Sequence, residues 1–206
     1  RGLEFGEKEY SEIDRYCKDK NIQWFASCWD EDSADFIAKY DPPCFKIASA
    51  SLTDDNLLKH HRKYGKPIIL STGMSTMQQI EHAVEVLGMD DLIVLHSTST
   101  YPAKPEELNM KMVTTLKNKF SVPIGYSGHE VGLSPTFTAA VLGAQVVERH
   151  ITLDRSDWGS DQAASIEPQG LERLLTEIRG IDATLGDGIK KVYESEIPII
   201  EKLRRK

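Results

Sequence analysis

Only three cysteines, Cys17, Cys28 and Cys44, occur in 206 residues. Their odd number and the lack of any CxxC spacing argue against a disulfide framework and predict a reducing, cytoplasmic setting. No apolar run approaches the ~18 residues of a membrane span, and no signal peptide is visible, so no membrane partner is expected. Positive charge is also scarce: 25 Lys and Arg stand against 32 Asp and Glu, a formal net charge of −7. That argues against nucleic acid as a partner and requires any anion site to be locally positive. An initiator Met is missing too. Gly2-Leu-Glu-Phe-Gly6 follows Arg1 and runs straight into a helical pattern, as expected of a segment cut from a longer protein. What remains, 40% hydrophobic and 28% charged residues, is an ordinary soluble composition sized for one large domain or two small ones.

Within it, short β-branched runs alternate with helical patterns. Residues 7–20 carry Tyr10, Ile13, Tyr16 and Cys17 at helical spacing. Strands are expected at 22–28, 44–49, 66–72, 92–98, 122–126 and 144–151. The helices between them are expected at 32–40, 54–64, 77–87 with Ser75 as N-cap, 108–118 and 134–142. A loop over 154–165 then leads to a long helix, 168–185, and to a tail that ends in a short, basic amphipathic piece. Strand starts recur at intervals of roughly 22–30 residues, which predicts parallel α/β architecture. Near-continuous apolar strands fit a sheet covered on both faces.

A doubly wound sheet and a (β/α)8 TIM barrel both satisfy that pattern. The barrel is preferred because nearly every strand ends in polar residues. They are Ser27 and Cys28; Lys46 and Ser49; Ser71 and Thr72; His96, Ser97 and Ser99; Ser127 and His129; Glu148 and His150. Barrel sites gather groups from many strand ends at one mouth, whereas open sheets concentrate them at one crevice. About six of the eight βα units are accounted for, strands three to eight, over residues 1–190; residues 191–206 form a C-terminal tail. The two missing units would precede Arg1.

Residues i and i+2 of a strand share a face, which pairs Ser127 with His129 and Glu148 with His150. Ser49, Ser71, Ser99 and Ser127, with Lys46 as the cation among them, have the makings of a phosphate cage; strand-end serines that cap the following helices are the plainer alternative. His129 and His150 on adjacent strands suit one divalent ion such as Mn²⁺, Zn²⁺ or Fe²⁺. No third protein ligand is identifiable, which argues against a structural zinc site. Glu148 faces the same space and could orient a ligand or meet a sugar hydroxyl. Asp161 lies in a loop over the mouth, where it is either a binding residue or a solvated acid; Trp158-Gly159 beside it suggests a lid. These residues describe a barrel enzyme for a phosphorylated compound.

Five segments carry a more specific likeness: Phe45-Lys-Ile-Ala-Ser49, Lys66-Pro-Ile-Ile-Leu-Ser-Thr-Gly-Met74, His96 through Tyr101-Pro102, Gly125-Tyr-Ser-Gly-His129 and Glu148-Arg-His150. In order and spacing they resemble the sialic acid synthase family over about residues 22–190. The resemblance implies a (β/α)8 barrel that condenses phosphoenolpyruvate with N-acetylmannosamine or a related 2-acetamido hexose, releasing phosphate. It implies that Lys46, Ser49, Ser71 and Ser127 hold phosphoenolpyruvate, with Ser99 where the family usually has an Asn. His129 and His150 would bind Mn²⁺ or Mg²⁺, and Tyr101, Glu148 and Asp161 would contact the sugar. It further implies a homodimer, and that a chain lacking the first two strands and an antifreeze-like domain has less than full activity. Ser51 stands where the family often has a Glu. Two other readings stay open: a class I aldolase with Lys46 as the Schiff-base lysine, and a non-catalytic phosphoenolpyruvate-binding barrel.

Overall fold

In the computed structural model, which describes residues 4–205, five short apolar runs form one parallel sheet in chain order. They are β1 (Phe45–Ile47), β2 (Ile68–Ser71), β3 (Leu92–Ser97), β4 (Ile124–Gly128) and β5 (Val146–Arg149). Helices α1 (Glu7–Asp19) and α2 (Glu31–Ala38) precede them. Between the strands run α3 (Asp55–Arg62), α4 (Met77–Leu87), α5 (Met112–Lys119) and α6 (Ser134–Val141); α7 (Pro168–Leu185) and α8 (Ile197–Leu203) follow.

Alternation along each strand gives the sheet two different faces. The outer face, with Ile47, Ile68, Leu70, Leu92, Val94, Ile124 and Tyr126, packs on Leu58, Ile80, Ala83, Val84, Leu116 and Ala139 of the covering helices to form the main core. The inner face carries a smaller apolar cluster of Cys44, Ile69 and Leu95 with Ile93 and Val146. Gly125 belongs to that inner face because a Cβ there would stand 2.4 Å from Leu95 Cδ2 and 2.5 Å from the Val146 carbonyl oxygen. Only glycine lets β3 and β5 close on β4 at this level.

Three expectations need correction. Residues 22–28 do not form a strand; only Ser27 bridges to Lys46. That segment has a three-residue neighbour on one side, and Trp24 and Ala26 turn instead into a cluster with Tyr10 and Phe36. The N-cap of α4 is Thr76, not Ser75: Thr76 Oγ1 accepts from Gln79 N–H and Gln79 Oε1 accepts from Thr76 N–H, while Ser75 Oγ donates to the Gly73 carbonyl. Helix α5 starts at Met112 rather than 108, because a 3-10 turn occupies Pro105–Glu107 and Asn109 adopts a left-handed φ of 43°.

The sheet is therefore half of a barrel wall, open at β5 and at the Ser27 bridge beside β1. A 3-10 turn at Glu194–Glu196 and α8 make up most of the tail, and neither has a buried residue. Among the described residues no helix is long and apolar enough to cross a membrane.

Candidate active site

At the C-terminal ends of the strands the inner face changes from apolar to polar. Two residues beyond Cys44, Ile69, Leu95, Gly125 and Val146 come Lys46, Ser71, Ser97, Ser127 and Glu148, with Ser97, Ser127 and Glu148 level with one another across β3, β4 and β5. They open into a cleft of about 380 Å³. Lys46, Ser49, Ser71, Ser99, Tyr101, Ser127, His129, Glu148, His150 and Asp161 all line it. These ten, the residues given a substrate or metal role from the sequence, are thus brought to one place.

One side of the cleft is built to meet an anion. Lys46 is 6% exposed, and its Nζ lies 3.4 Å from Glu148 Oε2. Burial pulls the ammonium below the usual lysine range, and the nearby Glu148 carboxylate works against that pull. Ser49 Oγ accepts from Gly73 N–H at 2.9 Å, which leaves its own O–H free to donate. A Cβ on Gly73 would sit 2.0 Å from Ser99 Oγ and 2.9 Å from Ser49 Oγ, so the glycine leaves both hydroxyls room to face the cleft. Ser127 O–H donates to Glu148 Oε1 at 2.7 Å. Ser71, also buried, has no hydrogen-bond partner for its hydroxyl. Buried donors without acceptors are costly unless a ligand completes them.

The other side presents imidazoles. His129 Nδ1 lies 2.7 Å from the Thr98 carbonyl. A carbonyl only accepts, so Nδ1 carries the proton and Nε2 offers its lone pair. Burial pushes the His129 pKa below the usual imidazole range, which keeps the ring neutral. The His150 ring stands 5.2 Å from it, nearly perpendicular at 83°, and His150 Nδ1 is 3.3 Å from Asp161 Oδ2. Tyr101 packs on both rings, with centroids at 4.2 and 5.5 Å. Its phenol is raised by burial and by Asp161 and Glu148. Two imidazoles side by side at the cleft fit a divalent cation with remaining positions for water or substrate. Among the described residues no group of three or more His, Cys, Asp and Glu is arranged to hold a metal. Trp158 is 92% exposed and does not line the cleft, so it forms no lid in this arrangement.

Sequence reasoning passed over what holds the two histidines. Glu130 and Arg149, each next to a histidine in sequence, form an ion pair at 3.0 Å with both side chains almost wholly buried. Tyr126 and Thr136 hydroxyls also donate to the Glu130 carboxylate. Arg149 donates further to the carbonyls of Glu130, Gly132 and Ala164 and to Thr136 Oγ1. The network joins the end of β4, helix α6, β5 and the loop carrying Asp161. Its signal was parity: both residues point to the outer face, where a charge is out of place unless paired. Ser97 and Trp29 also line the cleft without having been assigned a role.

Residues 1–190 match the NeuB family. The chain is 37% identical over 207 residues to the N-acetylneuraminate-9-phosphate synthase of Homo sapiens, covering 98% of this chain and 57% of that protein. It is 39% identical over 208 residues to the N,N'-diacetyllegionaminic acid synthase of Campylobacter jejuni, covering 98% of this chain and 62% of the relative. It thus spans about three fifths of the length of these curated relatives. Among solved structures, the sialic acid synthetase of Leptospira borgpetersenii, crystallised in complex with citrate, superposes with a TM-score of 0.87 at 35% identity, covering 98% of this chain and 73% of that one.

Proposed function

The chain belongs to the NeuB family, and from that premise we propose that it is the core of a nonulosonate synthase that condenses phosphoenolpyruvate with a 2-acetamido hexose. The carrying observation is the division of one cleft into a hydroxyl and ammonium wall around Lys46 and a two-imidazole corner at His129 and His150, with Glu148 between them. In this reading residues 1–190 are part of a (β/α)8 barrel, with β1 to β5 as its strands four to eight and the Ser27 bridge in the place of strand three, and residues 191–206 are a tail. The three free cysteines support a reducing cytoplasm as its setting.

Lys46, Ser49, Ser71, Ser99 and Ser127 hold the phosphoryl group and carboxylate of phosphoenolpyruvate. Until that anion arrives, Glu148 serves as the counter-ion of Lys46 and the acceptor of Ser127. Tyr101, Glu148 and Asp161 contact the open-chain hexose. His129 and His150 would hold a divalent cation, Mn²⁺ or Mg²⁺, which would supply Lewis-acid polarisation of the aldehyde oxygen. The methylene carbon of phosphoenolpyruvate bonds to the aldehyde carbon, whose oxygen gains a proton, and water adds at the cationic C2 and gives one up. Cleavage of the bond between C2 and the bridging phosphate oxygen releases inorganic phosphate and leaves the 2-keto acid. Lys46 and the hydroxyls stabilise the phosphate charge throughout.

Phosphate release from phosphoenolpyruvate should require both Mn²⁺ and one member of a panel of 2-acetamido hexoses, and His129→Ala or His150→Ala should abolish it. Unchanged rates in either variant, or in EDTA, would remove the cation from the reading. The depressed Lys46 ammonium also favours a second reading, a Schiff-base aldolase. Inactivation by borohydride with pyruvate is the outcome that would favour it.

A further inference from the structure

We propose that Ser97 is a further donor of the anion cage, hydrogen-bonding an oxyanion of phosphoenolpyruvate; this rests on the cleft being the substrate site proposed above. Ser97 is the last residue of β3 and 6% exposed, and its hydroxyl has no hydrogen-bond partner. It lines the cleft, two residues beyond Leu95 on the same face. It is level with Ser127, whose hydroxyl is taken by Glu148, and neighbouring strands stand ~4.8 Å apart. On the other side, β2 ends in Ser71, the other strand-end hydroxyl left without a partner.

A hydroxyl in this position is not needed for packing. The residue below it, Leu95, is apolar, and an alanine would avoid burying an unsatisfied donor. Two orphan hydroxyls on adjacent strands, facing a cleft whose cation is Lys46, are donors without an acceptor. A phosphoryl group or carboxylate seated between β2 and β4 is an acceptor of the right charge for both. Sequence reasoning noted Ser97 as a polar strand end but could not tell it from His96, whose ring faces outward and bonds the Leu108 carbonyl.

Calorimetric titration of phosphoenolpyruvate, inorganic phosphate and pyruvate into the wild type, Ser97→Ala and Ser97→Cys tests the assignment. Loss of one hydrogen bond to a charged group should weaken phosphoenolpyruvate binding roughly ten- to a hundredfold in Ser97→Ala. Ser97→Cys, which keeps the shape and a weak donor, should fall between and serves if the alanine variant does not fold. An equal loss for inorganic phosphate assigns the phosphoryl group as partner, and a loss for pyruvate assigns the carboxylate. Phosphoenolpyruvate affinity within twofold of wild type in a folded variant overturns the proposal. The functional reading fails separately: a wild type that binds phosphoenolpyruvate but releases phosphate with no hexose leaves Ser97 a ligand of the anion. A wild type that does not bind phosphoenolpyruvate overturns both.

Discussion

A single methyl group at Gly73 would stand 2.0 Å from Ser99 Oγ and 2.9 Å from Ser49 Oγ, so Gly73→Ala pits one residue against two of the proposed cage. Its backbone is not in the left-handed region, and the colliding atoms are ends of rotatable side chains. The cost in stability should therefore stay near the ~1–3 kcal/mol of mild overpacking. The cost in function should be larger, because Ser49 and Ser99 must turn away from the cleft. We expect phosphoenolpyruvate affinity to drop at least tenfold with only a modest shift in the thermal midpoint, read by calorimetry and circular dichroism. At this scale the sequence was informative wherever chemistry and parity coincided. Lys46, Ser71, Ser127 and Glu148 share an inner face by strand alternation, and all line the cleft. Ser97 obeys the same parity but lay among three polar neighbours. Glu130 and Arg149 were passed over because their partners, Tyr126, Thr136 and the Ala164 carbonyl, are distributed over three separate segments.

Those partners make the Glu130–Arg149 pair a strut between elements. Glu130→Gln keeps the shape but leaves the buried guanidinium without a counter-ion, and breaking a buried pair from one side costs ~3–5 kcal/mol. Arg149→Met should cost less, because the Glu130 carboxylate keeps the hydroxyls of Tyr126 and Thr136 as donors. Urea denaturation of both variants checks that order; equal losses would mean that the charge is not what the strut depends on. Element positions were legible from periodicity for α4, α6 and α7, where apolar spacing and stop signals agree. Boundaries failed where local backbone decided: Asn109 in a left-handed conformation postponed α5, and the hydroxyl of Thr76 rather than Ser75 met the Gln79 amide. The segment 22–28 has a strand-like composition, yet with one short neighbour it bonds at Ser27 alone. Composition reports what a strand prefers, not whether an edge is available to it.

For the molecule as a whole, three buried histidines set the response to acid. His61, His96 and His129 are all pushed below the usual imidazole value, chiefly by burial. Folded, they resist protonation; unfolded, they take up protons below about pH 6.5. Their contribution to stability is complete above that pH and is lost as pH falls from there through their folded values. The urea midpoint should be level from pH 7 to 8 and fall steadily towards pH 5; a flat midpoint across that range would contradict the assignment. The parallel α/β class was legible from the recurrence of strands, because each βα unit repeats the same burial problem. An incomplete barrel was expected too; that only five of the six expected strands join the sheet was not, since pairing at 22–28 depends on the edge available to it.

The apolar layer of Cys44, Ile69, Leu95 and Val146 beneath the polar one has a consequence for the cleft. It sets a low-dielectric layer beneath Lys46, which is itself buried. Screening at ordinary ionic strength acts over ~8–10 Å and only through solvent, and the Lys46 side chain, 7% exposed, meets little of it. Phosphoenolpyruvate binding should then change less than about threefold between 50 and 300 mM salt, where a site formed by exposed lysines would weaken far more. The same burial leaves the ammonium poorly solvated when no anion is present, and the Glu148 carboxylate is the mobile charge that answers it.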